Sequence, residues 1–487
     1  MLLPIARPYQ EKAIQETFNT WKDYKKLLLC IATGGGKTFI GCSLAKAFMN
    51  HGKRVLVLVH REELMQQFVR TFKPFCVTPE LIVAERRGIP KSNCYIAMTE
   101  TIHRRMKKNP HYLSLLGHID LLIVDEAHFD SHRKSIEVIE RENDCHTLAL
   151  TATPIPSSKK TIMKNDWDKI IYPITLTDLI NQKWLCKCQT YSFNGDVSGL
   201  EYRAGEFTEK SQLDVFGKPK LYGGLIENIN NIIKDKKSLI FNVNVDHSLD
   251  ITRRLEQSGY TARHLDGKTP KHEREEILKG FRDNKFQFLC NVGVCTTGYD
   301  EDTIESVILN RATCSVSLYY QMCGRGARIN PDINKYNFTI LDMGMNWKRF
   351  GTWDADYDWV DAFENPPALT KGNLTKENNN FINCDTCGKV YKRRVDNCSI
   401  CGSSLKEKKE KERKLKVSKI ITAREIKQYK KDTLPDRLKG RLITSLNDGE
   451  LREYCEHMGT KLGFYKKYKW MYFRGKYTTE PRIEDLI

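Results

Sequence analysis

Ala32-Thr33-Gly34-Gly35-Gly36-Lys37-Thr38 has the residue types and order of a phosphate cradle. Glycines let the backbone approach a phosphate, and amides at a helix N-terminus point at it. Lys37 would reach the outer phosphates, and the Thr38 hydroxyl would bind Mg²⁺. The motif usually opens with glycine, and here Ile31 stands in that place. Asp125-Glu126-Ala127-His128 supplies two adjacent carboxylates after an apolar run. Such a pair divides the labour of phosphoryl transfer, Asp125 holding the metal through water and Glu126 polarising an attacking water. Downstream, Cys384-x-x-Cys387 and Cys398-x-x-Cys401 offer four thiolates at the spacing of a structural Zn²⁺ site. Four protein ligands leave no open position, so that site should not be catalytic.

These groups need rigid supports. Leu27–Ile31, Arg54–His60, Cys94–Thr99, Ile119–Val124 and His146–Leu150 are apolar runs of strand length with helical patterns between them. Strands alternating with helices predict a parallel sheet whose ligands gather beyond the strand C-terminal ends. The loop at 32–38, His60 and Arg61, Thr99 and Thr101, the 125–128 tetrapeptide and Thr151-Ala152-Thr153-Pro154 all fall at such ends. A second set begins at Lys237–Asn242. It continues through His264-Leu265-Asp266-Gly267, a charged helix from Lys271 to Phe281, and Phe286–Asn291. Arg7-Pro8-Tyr9-Gln10 lies upstream of the phosphate loop; the Gln10 amide offers a donor and an acceptor for an adenine edge, and Tyr9 or Arg7 could cover the ring.

Composition narrows the partners. The 487 residues carry 79 Lys and Arg against 61 Asp and Glu, a net +18, which favours a polyanion and most simply a nucleic acid. No apolar run approaches the roughly 18 residues of a membrane span, and Met1-Leu2-Leu3-Pro4 lacks the layout of a signal peptide. Most of the sixteen cysteines sit singly in apolar runs, as in a reduced, cytoplasmic protein.

Taken in order, Gly34-Gly35-Gly36-Lys37-Thr38, Asp-Glu-Ala-His and Thr-Ala-Thr-Pro resemble motifs I, II and III of a superfamily-2 DEAD/DEAH-box helicase. Arg7 to Gln10 resembles the adenine-reading Q motif, and Arg61 and Thr99 fall in motifs similar to Ia and Ib. Thr296-Thr297-Gly298-Tyr299-Asp300 is similar to motif V, and Gln321-Met322-Cys323-Gly324-Arg325-Gly326-Ala327-Arg328 to motif VI. The resemblance covers roughly residues 5–345. It implies ATP and Mg²⁺ bound by Arg7, Gln10, Thr33, Gly34, Gly35, Gly36, Lys37, Thr38, Asp125, Gly298, Asp300 and Gln321. Lys37, Asp125, Glu126 and the arginine fingers Arg325 and Arg328 would be catalytic. His128, Thr151 and Thr153 would couple the site to the second domain, and Arg61, Thr99 and Thr296 would face nucleic acid. Ile174 to Leu185, Tyr202 to Phe207 and the Gly-Arg-Gly-Ala-Arg form of motif VI look most like bacterial and phage RadD-type DNA repair helicases, with UvsW a more distant likeness. Ring-translocating DEAH RNA helicases carry longer C-terminal regions than the residues left here.

The expected architecture is α/β, with two tandem RecA-like parallel-sheet domains, a small zinc ribbon and a basic C-terminal module. Its divisions are 1–170 for the first domain, 171–215 for a connecting segment and 216–345 for the second domain. A linker follows at 346–380, in which Trp347, Trp353 and Trp359 would dock onto the second domain, then a zinc ribbon at 381–405 and a basic module at 406–487. Residues 401–487 hold 23 Lys and Arg against 13 Asp and Glu. Lys466, Tyr468 and Trp470 interleave rings with cations, as single-strand binders do, while Lys389, Tyr391, Lys392, Arg393 and Arg394 lie between the cysteine pairs. The function expected is an ATP-dependent DNA helicase or translocase in repair, recombination or replication. It would act as a monomer on single-stranded or branched DNA, with a single-strand-binding or recombination protein as partner, in a bacterial or phage-infected cytoplasm. Alternatives are a translocase remodelling junctions or RNA without processive unwinding, and a nucleic-acid-binding scaffold with a vestigial ATPase.

Overall fold

A computed structural model of the chain describes residues 4–86, 88, 91–155, 163–193, 199–203, 205–216, 219–296, 298–365, 381–392, 395–405, 438 and 446–458. The first sheet is built from β1 (Lys26–Cys30), β2 (Val55–Val59), β3 (Glu80–Ile82), β4 (Cys94–Met98), β5 (Leu121–Asp125), β6 (His146–Thr151) and β7 (Lys169–Ile171). Their order is β3-β4-β2-β5-β6-β1-β7, with every neighbour parallel. The central strands are apolar along their whole length because helices cover both faces; Val55–Val59 and Leu121–Asp125 are buried at every residue. Each such Leu, Val or Ile contributes about 1.5–3 kcal/mol relative to an exposed position.

Register decides what meets at the sheet's edge. Cys30 pairs with Thr151 and Asp125 with Leu150, so β1, β5 and β6 end abreast. The phosphate loop, the carboxylate pair and Thr151–Thr153 therefore emerge side by side. Helix α1 (Pro8–Thr20) precedes β1, α2 (Lys37–Asn50) follows the loop, and α3 (Glu62–Phe72) follows β2.

The stretch 171–215, expected to be a connector, contributes structure of its own. Lys187–Tyr191 forms β8, a parallel edge strand of the second sheet. Tyr202–Arg203 (β9) and Glu206–Phe207 (β10) form a short hairpin, and the Glu206 carboxylate accepts hydrogen bonds from Thr313 Oγ1 (2.6 Å) and Cys314 N (2.8 Å). The second sheet also contains β11 (Ser238–Asn242), β12 (Ala262–Leu265), β13 (Phe288–Asn291), β14 (Ser306–Asn310) and β15 (Asn337–Asp342). It is again fully parallel, in the order β12-β13-β11-β14-β15-β8. The chain thus carries two parallel-sheet RecA-like domains. One continuous apolar cluster runs from the first sheet through Leu179, Leu185 and Cys186 into the second.

Residues 346–365 dock rather than dangle. Trp347, Trp353 and Trp359 are all buried; Trp353 meets Phe338 of β15 edge to face, and Trp359 meets Tyr320. Ile382–Asn383 (β16) and Val390–Tyr391 (β17) then form a hairpin against the β8 edge, where Ser192 N donates to Gly388 O (2.8 Å) and Tyr191 bridges Lys389. The described residues 395–398, 402–405, 438 and 446–458 belong to a second compact unit. In it the helix Asp448–Met458 opens on a capping box, Asn447 Oδ1 accepting from Glu450 N and Glu450 Oε2 from Asn447 N. No helix among the described residues is long and apolar enough to cross a membrane.

Candidate active site

The phosphate loop leaves β1 and enters α2 at Lys37. Gly36, its helix cap, has φ +82°, and a Cβ there would lie 2.3 Å from Gln10 Nε2, so only glycine fits. Gln10 Oε1 caps α1 by accepting from Arg7 N (2.9 Å), and the Tyr9 hydroxyl donates to Gly35 O (2.8 Å). Arg7 reaches Tyr9 Oη (3.1 Å) and stacks over Trp184 at 4.6 Å. The Lys37 ammonium rests on Ile31 O (3.2 Å), and Thr38 Oγ1 accepts from Gln67 Nε2 (3.3 Å).

Asp125 and Glu126 are both buried at the end of β5. Burial, reinforced by the Glu126 charge, raises the Asp125 pKa. Glu126 has φ +49°, a left-handed conformation uncommon outside glycine. Among the described residues its Oε2 is buried with no hydrogen bond and lies 3.4 Å from His128 Nδ1. Burial lowers the His128 pKa, and the neutral ring accepts from Gln321 Nε2 at its Nε2 (3.1 Å) and donates from Nδ1 to Thr151 Oγ1 (3.1 Å). Thr151 Oγ1 in turn donates to Thr153 O (3.0 Å), and Thr153 Oγ1 donates to Ser317 Oγ (2.8 Å). Two hydrogen bonds from this cluster, at Gln321 and Ser317, thus cross into the second domain.

That domain presents Gln321 on the helix Val316–Cys323 and two arginines just after it. Arg325 is buried and anchored, donating to Thr296 O through Nε (3.1 Å) and Nη2 (2.6 Å) and to Tyr299 O through Nη1 (2.6 Å). Burial, then the Arg328 charge, pushes its pKa down to about 10, so it stays a cation at neutral pH. Arg328 Nε pairs with Asp300 at 2.8 Å, and its Nη1 is buried with no hydrogen-bond partner among the described residues. Between the domains lies a cavity of about 180 Å³. Its walls include Gly36, Lys37, Asp125, Glu126, Arg325 and Arg328; Thr33, Gly34, Thr38, Gly298 and Asp300 also line it. An unpartnered carboxylate oxygen, an unpartnered guanidinium N–H and a glycine cradle fit a triphosphate with its divalent cation. Lys37, Thr38 and Asp125 would hold them.

Three of the side chains expected to face nucleic acid hydrogen-bond within the protein. Thr99 is buried; its hydroxyl donates to Val59 O (3.1 Å) and meets His132 Nδ1 (2.9 Å). Thr296 Oγ1 donates to Gly293 O (2.7 Å). Arg61 crosses to the second domain, donating to Gly293 O (3.1 Å) and Val294 O (3.4 Å). Thr296 and Arg61 thus share one acceptor, the Gly293 carbonyl. Lys466, Tyr468 and Trp470 lie outside the described residues, as do Arg393 and Arg394.

Cys384, Cys387, Cys398 and Cys401 gather their sulfurs within 4.8 Å of one another. Gly388 N donates to Cys384 O (2.8 Å) and Gly402 N to Cys398 O (2.9 Å), so the two turns repeat one geometry. Thiolates so arranged suit tetrahedral zinc. Two cations of the intervening loop have partners distant in the chain: Lys389 lies over the Tyr191 ring (5.0 Å), and Lys392 pairs with Asp354 (2.9 Å).

Residues 4–156 match the family described as Type III restriction enzyme, res subunit, and residues 223–330 match the Helicase conserved C-terminal domain. The chain carries the paired domains of a superfamily-2 helicase. It is an ATP-hydrolysing enzyme of nucleic acid. A 51.5 kDa protein of Lactococcus phage (isolate 7-9) is 29% identical over 384 residues, covering 78% of each chain. A Saccharomyces cerevisiae (strain ATCC 204508 / S288c) protein with the provisional name ATP-dependent helicase IRC3 is 27% identical over 364 residues, 70% of this chain but about half (51%) of IRC3. A fragment of a type I restriction enzyme from Vibrio vulnificus YJ016, provisionally its HsdR subunit, shares the fold with a TM-score of 0.56 at 20% identity, over 80% of this chain and 70% of that one.

Two residues that support the helicase's cleft were missed in sequence. Gln67 holds Thr38, and its signal was available: Gln67 and Thr71 are an i, i+4 polar pair beside the apolar stripe Leu64, Phe68 and Phe72 of α3. Lys335 donates to Arg328 O (2.6 Å) and Asp302 O (2.8 Å), and burial pushes its pKa down to about 8. No local pattern marks it, because its partners lie in other loops.

Proposed function

We propose that this helicase is a DNA motor that couples ATP hydrolysis to translocation or unwinding. The observation that carries the reading is the cleft itself, where Lys37, Asp125 and Glu126 of one domain face Arg325 and Arg328 of the other across one cavity. Mg²⁺ with its nucleotide would neutralise charge on the phosphates. Glu126 is placed to orient a water through its unpartnered oxygen. Arg328 offers its open N–H to charge developing on the transferred group, and Arg325 holds the motif V backbone beside it. Through the Gln321–His128–Thr151 chain, opening and closing of the domains is linked to the carboxylate pair.

DNA rather than RNA is favoured by the type III restriction family match over the first domain and by the fold shared with LlaBIII, a Type ISP restriction-modification enzyme described bound to DNA (TM-score 0.52, 16% identity). A repair, recombination or replication role of the RadD kind, in the cytoplasm of a bacterium or a phage-infected host, fits the phage relative and the net charge of +18. The test is the ATPase rate without nucleic acid and with single-stranded, duplex and forked DNA and RNA, each at two salt concentrations. Strong, salt-sensitive stimulation by single-stranded or forked DNA is expected. Stimulation by RNA alone moves the assignment to RNA remodelling, and no stimulation by any of them overturns the motor reading. A strand-displacement assay beside a branch-migration assay separates unwinding from junction remodelling.

A further inference from the structure

The short stretch before β8 touches both walls of the cleft. After the helix Leu176–Asn181 the chain doubles back, and Trp184 N (2.8 Å) and Leu185 N (3.1 Å) both donate to Leu179 O. On the second-domain side, Leu185 forms an antiparallel bridge with Arg328. Cys186 N donates to Ala327 O (2.7 Å), and the Cys186 thiol donates to Arg328 O (3.1 Å). On the first-domain side, the Leu185 side chain rests on the phosphate loop: a Cβ placed on Gly34 would lie 3.0 Å from Leu185 Cδ2 and 3.7 Å from Arg328 Cγ. Leu185 is 2% exposed.

We propose that Leu185 is a positioning residue for the arginine side of the ATP site, transmitting the position of the phosphate loop to Arg328. Interiors are close-packed, so a buried leucine wedged on bare loop backbone must move when that backbone moves. Its own backbone is paired with Arg328, so the arginine's main chain moves with it. Arg328 Nε is fixed to Asp300, Arg328 lines the cavity, and its Nη1 has no hydrogen-bond partner among the described residues. A passive tether would need neither the buried leucine on Gly34 nor the backbone bridge to Arg328. This inference rests on the reading that Arg328 acts on the outermost phosphate, so the experiment tests the two separately.

The probes are ADP and the β,γ-imido analogue of ATP, whose affinities are measured by equilibrium titration on the full chain. The variants are Leu185→Ala, Leu185→Val, Leu185→Met, Arg328→Ala and the double variant Leu185→Ala/Arg328→Ala. Arg328→Ala should erase most of the preference for the triphosphate analogue over ADP. Leu185→Ala should lose about tenfold of that preference while ADP affinity stays within about twofold, and the double variant should be no worse than Arg328→Ala, because residues acting as a unit are not additive. Leu185→Val should fall between, and Leu185→Met, which keeps the volume, should restore the preference. In turnover, Leu185→Ala should lower kcat/KM for ATP by about tenfold, most of it through a raised KM. Retained triphosphate preference in folded Leu185→Ala and Leu185→Val overturns the proposal. So does equal loss for both nucleotides, or losses that multiply in the double variant. If Arg328→Ala keeps its preference, the reading of Arg328 fails first and the proposal with it.

Discussion

The interdomain cleft and the four-cysteine turns both concentrate reactive side chains, and they differ in what those side chains have left to offer. In the cleft, Glu126 Oε2 and Arg328 Nη1 are buried with no hydrogen-bond partner among the described residues, and Lys37 holds one loop carbonyl. At the turns, four sulfurs face one another, Lys389 covers the Tyr191 ring and Lys392 pairs with Asp354. Unsatisfied buried polar groups are costly and persist where a ligand completes them. A set of thiolates closed on itself completes a metal and nothing else. The first arrangement exchanges ligands in a working cycle; the second holds the polypeptide still.

The contrast can be broken most sharply at Lys37. Lys37→Ala should reduce nucleic-acid-stimulated ATPase by about 10³-fold or more, by the same logic that gives a phosphate-contacting cation its large effect, with the melting temperature retained. A Lys37→Ala protein hydrolysing ATP at the native rate would remove the cleft from the mechanism. The reverse pattern is expected at the turns. Cys398→Ser, or a strong chelator, should release zinc measurable by atomic absorption and lower the unfolding temperature. The residual ATPase per folded molecule should change by less than about threefold, since structural zinc stabilises folding without entering chemistry. Loss of activity without loss of stability would erase the distinction.

Smaller effects sharpen it further. Gln321→Ala removes the donor that reaches His128 across the cleft and should lower kcat by roughly two- to tenfold, the range of one hydrogen bond's net contribution. Nucleotide affinity should be nearly unchanged, and an unchanged kcat would show that the interdomain link does not matter. The smallest effect is in pH. Burial pushes His60 down to about 3 and His132 down to about 4. Below about pH 6.5 the unfolded chain binds protons that these rings refuse in the folded state. Stability should therefore be full above pH 6.5 and fall progressively toward pH 4, read as the denaturant midpoint at pH 7.5 and 5.5. His132→Gln should flatten the slope; a steeper slope would contradict the neutral buried ring.

Most of the first sheet was legible because its strands are continuous apolar runs ending in chemistry. Leu27–Ile31 leads into the phosphate loop and Ile119–Val124 into Asp125-Glu126, and strand register places those ends together. The edge strands were not legible. β3 and β7 are three residues each, and β8 reads Lys-Cys-Gln-Thr-Tyr, too polar to announce burial, because an edge strand is only half covered.

Sequence by itself marked which groups have the types and spacing for chemistry. A glycine cradle before a lysine, paired carboxylates after a strand, arginines after a helix and cysteines three positions apart are local patterns, and their spacing is set by the backbone of a single turn. Tertiary structure decided which of those groups remain open. Thr99, Thr296, Arg61 and Lys392 have residue types suited to binding a nucleic acid, yet each holds a partner tens or hundreds of residues away in the chain, except that Thr296 closes its own turn. Leu185, unremarkable in sequence, became the contact between loop and arginine for the same reason. A side chain's free valence depends on long-range packing, and no local pattern records it.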